Sequence, residues 1–307
     1  MRGRAWVALA GSSLVGVLLF VWPFVGRGAP GGTAAAAVGV GTAAALLGVE
    51  VTARRLDARG LALLASLAAI DAGARALVVT GIGGFSPIFL LILCGGYVFG
   101  PSYGFLLGAT SLLVSALVTG GLGPWLPYQL FAAAWVGVAA GLAGLGRRGR
   151  PAWRDAAVLA GVGVVSGYCF GAAMDVWDWT FYRASPGLGF RPGMAPGVAL
   201  THFAHFYLAT SVVYDTFRAV GNAVVVVALG LPVLVALARL RTRFAVEIVP
   251  VELALSDLVL RAEPAARGPR PPEPPPDPAP APTLGPPAPG AAGVLRGPRP
   301  PTAAGRS

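Results

Sequence analysis

Eight side chains with chemistry to offer lie in or beside long apolar runs: Asp71, Arg75, Asp175, Asp178, His202, His205, Asp215 and Arg218. Charge inside a membrane is costly, so such residues normally face a cavity or a partner. Four uses are open to such residues. His202 and His205, spaced i, i+3, have the donor types of a metal site if Asp175 or Asp178 joins them. Two histidines ahead of a helix serve equally as ordinary polar residues, and we assign no metal. Ser111, Ser115 and Ser211 are nucleophile candidates, but no GxSxG occurs and no histidine lies at their depth, so serine-type intramembrane proteolysis lacks its base. Nothing fits GxxxxGK[ST], since the chain has no lysine, which excludes a P-loop ATPase. The remaining use is binding: Asp71, Asp175 and Asp215 as ligand or proton sites. The chain is therefore read as non-enzymatic, with energy supplied by an ion gradient or a partner. Cys94 and Cys169 lie apart in apolar runs and read as isolated buried thiols.

Those residues sit in a membrane-grade sequence. Of 307 residues 55% are hydrophobic and 12% charged, with mean hydropathy +0.71, whereas a soluble domain carries about 25% charge. All 23 basic residues are arginine, which reads as coding bias rather than mechanism. The net charge of +10 is not a nucleic-acid signature, because the arginines cluster between apolar runs, where topology rules place them.

A spanning helix needs about 20 apolar residues. The candidates cover 5–25, 33–52, 60–80, 86–100, 103–119, 127–146, 155–177 and 208–238, with a polar, aromatic stretch at 178–206. If Arg2 and Arg4 are cytoplasmic, eight spans put Arg54, Arg55, Arg59, the 147–154 cluster and Arg239, Arg241 and Arg243 on that side too. The outer loops keep only Arg27, Arg183 and Arg191. The expectation is an all-α integral membrane protein of about eight transmembrane helices, with both termini cytoplasmic. Residues 1–58 would form a two-helix hairpin, 59–243 a six-helix core, 244–262 an interfacial segment, and 263–307 a disordered, Pro-rich cytoplasmic tail.

That topology gathers the unusual residues on the outer face. TGGLGPWLPYQLF, residues 119–131, breaks the apolar chain with Trp125, Tyr128 and Gln129 packed into the break. Asp71 and Arg75 lead into TGIGGFSP, which holds Phe85. Asp175, Trp177, Trp179, Phe181 and Tyr182 close the seventh span, and His202, Phe203 and Tyr207 precede the eighth. Asp215, Arg218 and Asn222 share one face of the last helix by their spacing of three and four. An interfacial aromatic belt accounts for single tryptophans or tyrosines, and Asp215 with Arg218 can neutralise each other. Neither explains the Gly/Pro break, so the group is read as a ligand pocket. In the third span Ala65, Ala69 and Gly73 recur every four residues, a small-residue face on which another helix can pack.

LLASLAAIDAGAR, FSPIFLLILCGGYVFGPSYGFLLGATSLLVSALVTGGLGPWLPYQLF and YDTFRAVGNAVVVV together resemble the substrate-binding S component of energy-coupling factor (ECF) vitamin transporters over residues 60–240. GYVFGPSYGFLLGATS followed by GGLGPW is similar to a branch linked to cobalamin uptake. The resemblance implies a bacterial cytoplasmic-membrane protein that captures a vitamin from outside. It docks on a membrane T component driven by two ATPase subunits, and only these partners use ATP. Ala65 and Ala69 match the family's docking positions, and residues 81–87, 120–129 and 178–206 its lid and pocket. The substrate-binding set is then Asp71, Arg75, Phe85, Trp125, Tyr128, Gln129, Asp175, Trp177, Trp179, His202, Phe203, Asp215, Arg218 and Asn222. No cofactor is expected beyond the vitamin carried as cargo, best matched by cobalamin or a precursor. The hairpin and tail lie outside the family pattern. The alternative is a stand-alone proton-coupled transporter of a small aromatic solute, although no inverted repeat relates the two halves.

Overall fold

The computed structural model describes residues 2–25, 37–41, 44, 56–77, 87–147, 149–183 and 186–244. Every regular element among them is helical: α1 (Arg2–Val25), α2 (Ala58–Leu77), α3 (Phe89–Phe99), α4 (Pro101–Thr119), α5 (Leu126–Ala143), α6 (Trp153–Trp179), α7 (Pro196–Thr210), α8 (Val212–Val225) and α9 (Leu231–Phe244), with a π-helical turn at Val226–Gly230. Residues 37–41 are also helical. The second expected span otherwise lies outside the described residues, as do Phe85, most of 244–262 and all of 263–307.

The boundaries follow from local chemistry. Gly100, at φ 100°, turns α3 into α4, and Pro101 supplies a first helical residue that needs no N–H partner. Gly120 ends α4 in the left-handed conformation, and Pro127 sits in the first turn of α5. Asp155 accepts the Ala152 N–H at 2.8 Å and so caps α6.

By length and composition, the described helices able to cross a bilayer are Pro101–Thr119, Leu126–Ala143, Trp153–Trp179 and the continuous run Val212–Arg243. The expected spans 5–25 and 60–80 form the helices Arg2–Val25 and Ala58–Leu77 but fall outside that set, and two further spans differ in extent. The 86–100 segment forms an 11-residue helix, about 16 Å long, roughly half of a hydrocarbon core. In place of a loop over 178–206 and a span from 208, Pro196 starts α7, and the chain breaks at Ser211 before α8 begins.

Close backbone approach builds the centre. A Cβ on Gly104 would collide with the Gly137 backbone, and one on Gly108 with the Ala133 backbone. Glycine at these positions lets α4 and α5 touch without side chains between them, the packing that substitutes for a hydrophobic drive in lipid. α2 lies along α4, and α3 fits against α4 and α5. The N-terminal helix packs on the core. Gly16 closes on Phe131 and Trp135, Phe20 meets Tyr128 edge-on at 5.0 Å, and Phe24 meets Phe190 at 5.4 Å.

Among the described residues, the 147–154 and 239–243 arginine clusters meet at one end. Arg241 donates to the Val98 carbonyl at 2.7 Å, while Arg147 pairs with Asp155 at 2.7 Å, and Tyr97 donates to the same carboxylate. α6 starts there and runs 27 residues, about 40 Å, which carries Trp177 and Trp179 to the opposite end.

Candidate functional site

At the arginine-poor end the break after α4 is a short turn. The Trp125 ring folds back over Gly123, where a Cβ would collide with it, and stays 38% exposed. One turn into α5, Tyr128 is buried and Gln129 half-buried. Trp177 joins them from α6, with ring centroids 6.2 Å from Trp125, 5.8 Å from Tyr128 and 4.9 Å from Phe181. Phe20 of α1 also packs edge-on against Tyr128. The Tyr128 hydroxyl is buried without a hydrogen-bond partner.

Trp179 belongs to a second group. Its indole N–H donates to the Leu188 carbonyl at 2.7 Å, and its ring meets Phe190 at 5.1 Å and Phe203 at 5.5 Å. His202 anchors the same segment through Nδ1 to the Gly189 carbonyl at 3.1 Å, and His205 is exposed. No group of three metal-ligating side chains occurs among the described residues.

The polar residues of α8 form a third arrangement, a seam against α6. Asp215, Ala219 and Asn222 face Gly171, Gly167 and Gly163, and a Cβ on Gly171 would land on the Asp215 carboxylate. Arg218 pairs with Asp215, lies 5.4 Å above the Phe170 ring and reaches the Gly167 carbonyl at 3.5 Å. Asn222 donates to the Gly163 carbonyl at 3.1 Å, and Tyr207 donates to Asp215 at 3.0 Å. Burial, then the Asp215 bond and the nearby carboxylates, push the Tyr207 phenol well above its ordinary range, so it stays a donor. Asp175 extends the seam. One of its oxygens accepts the Ser211 hydroxyl at 2.7 Å, and the other is buried without a partner.

The expected pocket is therefore divided. Trp125, Tyr128 and Trp177 meet on one side of the α6 tip. Trp179, His202 and Phe203 meet on another, and Asp175, Asp215, Arg218 and Asn222 line the α6–α8 seam. Asp71 lies apart on α2, buried, accepting the Ser111 hydroxyl at 2.9 Å. Arg75 is half-buried one turn beyond. Sequence reasoning passed over Phe20 and Phe24, and considered Ser211 only as a nucleophile, not as a partner of Asp175. Gly163, Gly167 and Gly171 were missed too, although their four-residue spacing is the signal that singled out Ala65 and Ala69.

On α2, Ala65, Ser66, Ala69 and Gly73 are exposed, while Leu64, Leu67, Ala68, Asp71 and Ala72 turn inward. A Cβ on Gly73 would meet nothing within 4 Å. No family model, curated protein or solved structure matches the chain.

Proposed function

We propose that this chain is the membrane S component of an ECF-type importer. It captures a vitamin, best matched by cobalamin or a precursor, on the arginine-poor face and works with a T component and two ATPase subunits. The observation that carries this reading is the open stripe Ala65–Ala69–Gly73 on α2. Small side chains turned away from the bundle are what a second membrane protein needs for close helix contact. The tryptophans and tyrosine at the α5–α6 tip supply π-faces for a flat ring, and the sequence resemblance supplies the class of cargo. Bulk at the stripe separates docking from capture. With Ala65→Leu and Ala69→Leu together, vitamin retained by the purified protein stays at the wild-type level while uptake in cells falls to background. Undiminished uptake would remove the docking role.

One observation favours the proton-coupled alternative: the Asp175 oxygen buried without a partner is a natural place for a transported proton. Uptake that persists without ATPase subunits and collapses with an ionophore would select that reading.

A further inference from the structure

We infer that the arginine-rich end carries a binding site for the phosphodiester headgroup of an anionic phospholipid. A shallow, open cleft lies where the end of α3, the 144–152 connection, the start of α6 and the end of α9 meet. Tyr97, Arg147, Arg150, Asp155 and Arg241 line it. Its one carboxylate is already committed, because Asp155 takes Arg147, the Tyr97 hydroxyl and the Ala152 N–H. Arg241 spends one donor on the Val98 carbonyl and keeps the rest of its guanidinium fork. Arg150 is exposed and makes no hydrogen bond or ion pair among the described residues. With Asp155 offset by Arg147, two positive charges remain in the lining.

Neighbouring side chains favour a lipid over a free anion. Trp153, at the start of α6, is 62% exposed, and Leu142 and Leu145, flanking the cleft-lining Gly144 in sequence, are 47% and 52% exposed. An exposed tryptophan level with arginines marks the boundary between headgroups and acyl chains. A phosphodiester in the cleft would meet the arginines while its chains ran along those apolar side chains. The arginines thus hold a lipid as well as setting orientation, and basic pockets on the cytoplasmic side of a membrane protein suit such headgroups.

The test is native mass spectrometry of the delipidated full chain in detergent, titrated separately with phosphatidylglycerol and phosphatidylcholine. Phosphatidylglycerol adducts should form at concentrations where phosphatidylcholine gives none, and millimolar inorganic phosphate should not displace them. Arg150→Gln, at a side chain with no partner to lose, should weaken the adduct about fivefold, and adding Arg241→Gln should weaken it further. Arg191→Gln, on the other face, should bind like wild type. Equal binding of both lipids, displacement by inorganic phosphate, or an Arg150→Gln variant that binds as wild type would each overturn the site.

Discussion

Trp125 and Trp177 differ in what surrounds them, and that difference sets what each substitution will do. Trp125 is partly open to solvent, with its ring resting on Gly123, whereas Trp177 joins Tyr128 and Phe181 in a packed group. Trp125→Ala should leave thermal unfolding near wild type and weaken vitamin binding by about five- to tenfold, the worth of one aromatic contact. Titration of the purified variant reads the outcome, and unchanged affinity removes Trp125 from the site. Much at this scale was legible in the sequence. Trp125 and Tyr128 were visible because they interrupt an apolar run, and Asp215, Arg218 and Asn222 because their spacing puts them on one helix face. What that face would meet was not legible. A spacing pattern states which side chains point together and says nothing of the neighbour, and here the neighbour is a row of glycines.

Among the elements, the α6–α8 seam tolerates little added bulk at its centre. Gly171 lies under the Asp215 carboxylate, whereas a Cβ on Gly161 meets nothing within 4 Å. Gly171→Ala should destabilise the protein by about 1–3 kcal/mol, the usual cost of forcing an extra carbon into a filled interface. Gly161→Ala should be neutral or slightly stabilising. Thermal unfolding in detergent separates the two, and equal behaviour would deny the seam its role. Helix existence was readable from the apolar runs, since bilayer length and apolarity fix it. Two boundaries were not. The helix over 196–210 was hidden by its polar and aromatic residues, which read as a loop until Pro196 and the Tyr207 and His202 anchors are seen together. The end of α3 at Gly100 was readable, but its start at Phe89 was not, since nothing in the apolar sequence separates Ile88 from it.

For the whole molecule, the two described arginine clusters at one end and the aromatic residues at the other fix a polarity. Arg150 and Arg191 are both exposed and belong to opposite ends. In intact cells, a membrane-impermeant maleimide should label Arg191→Cys and spare Arg150→Cys until the membrane is opened. The reverse pattern would invert the topology and take the aromatic groups off the outer face. The arginine clusters made this polarity legible from composition alone, because the positive-inside bias acts on short loops. The docking of α1 over Tyr128 and Trp179 was not, since nothing in an N-terminal apolar run names the helix it will cover.

Capture of a vitamin is the central claim, and ligand identification on the purified protein tests it most directly. Cells fed a vitamin mixture would express the chain, and the protein would be purified in mild detergent, heated and analysed by absorbance and mass spectrometry. The account predicts a stoichiometric released vitamin, a corrinoid first among them. A protein that releases none, and binds none on titration, would contradict it.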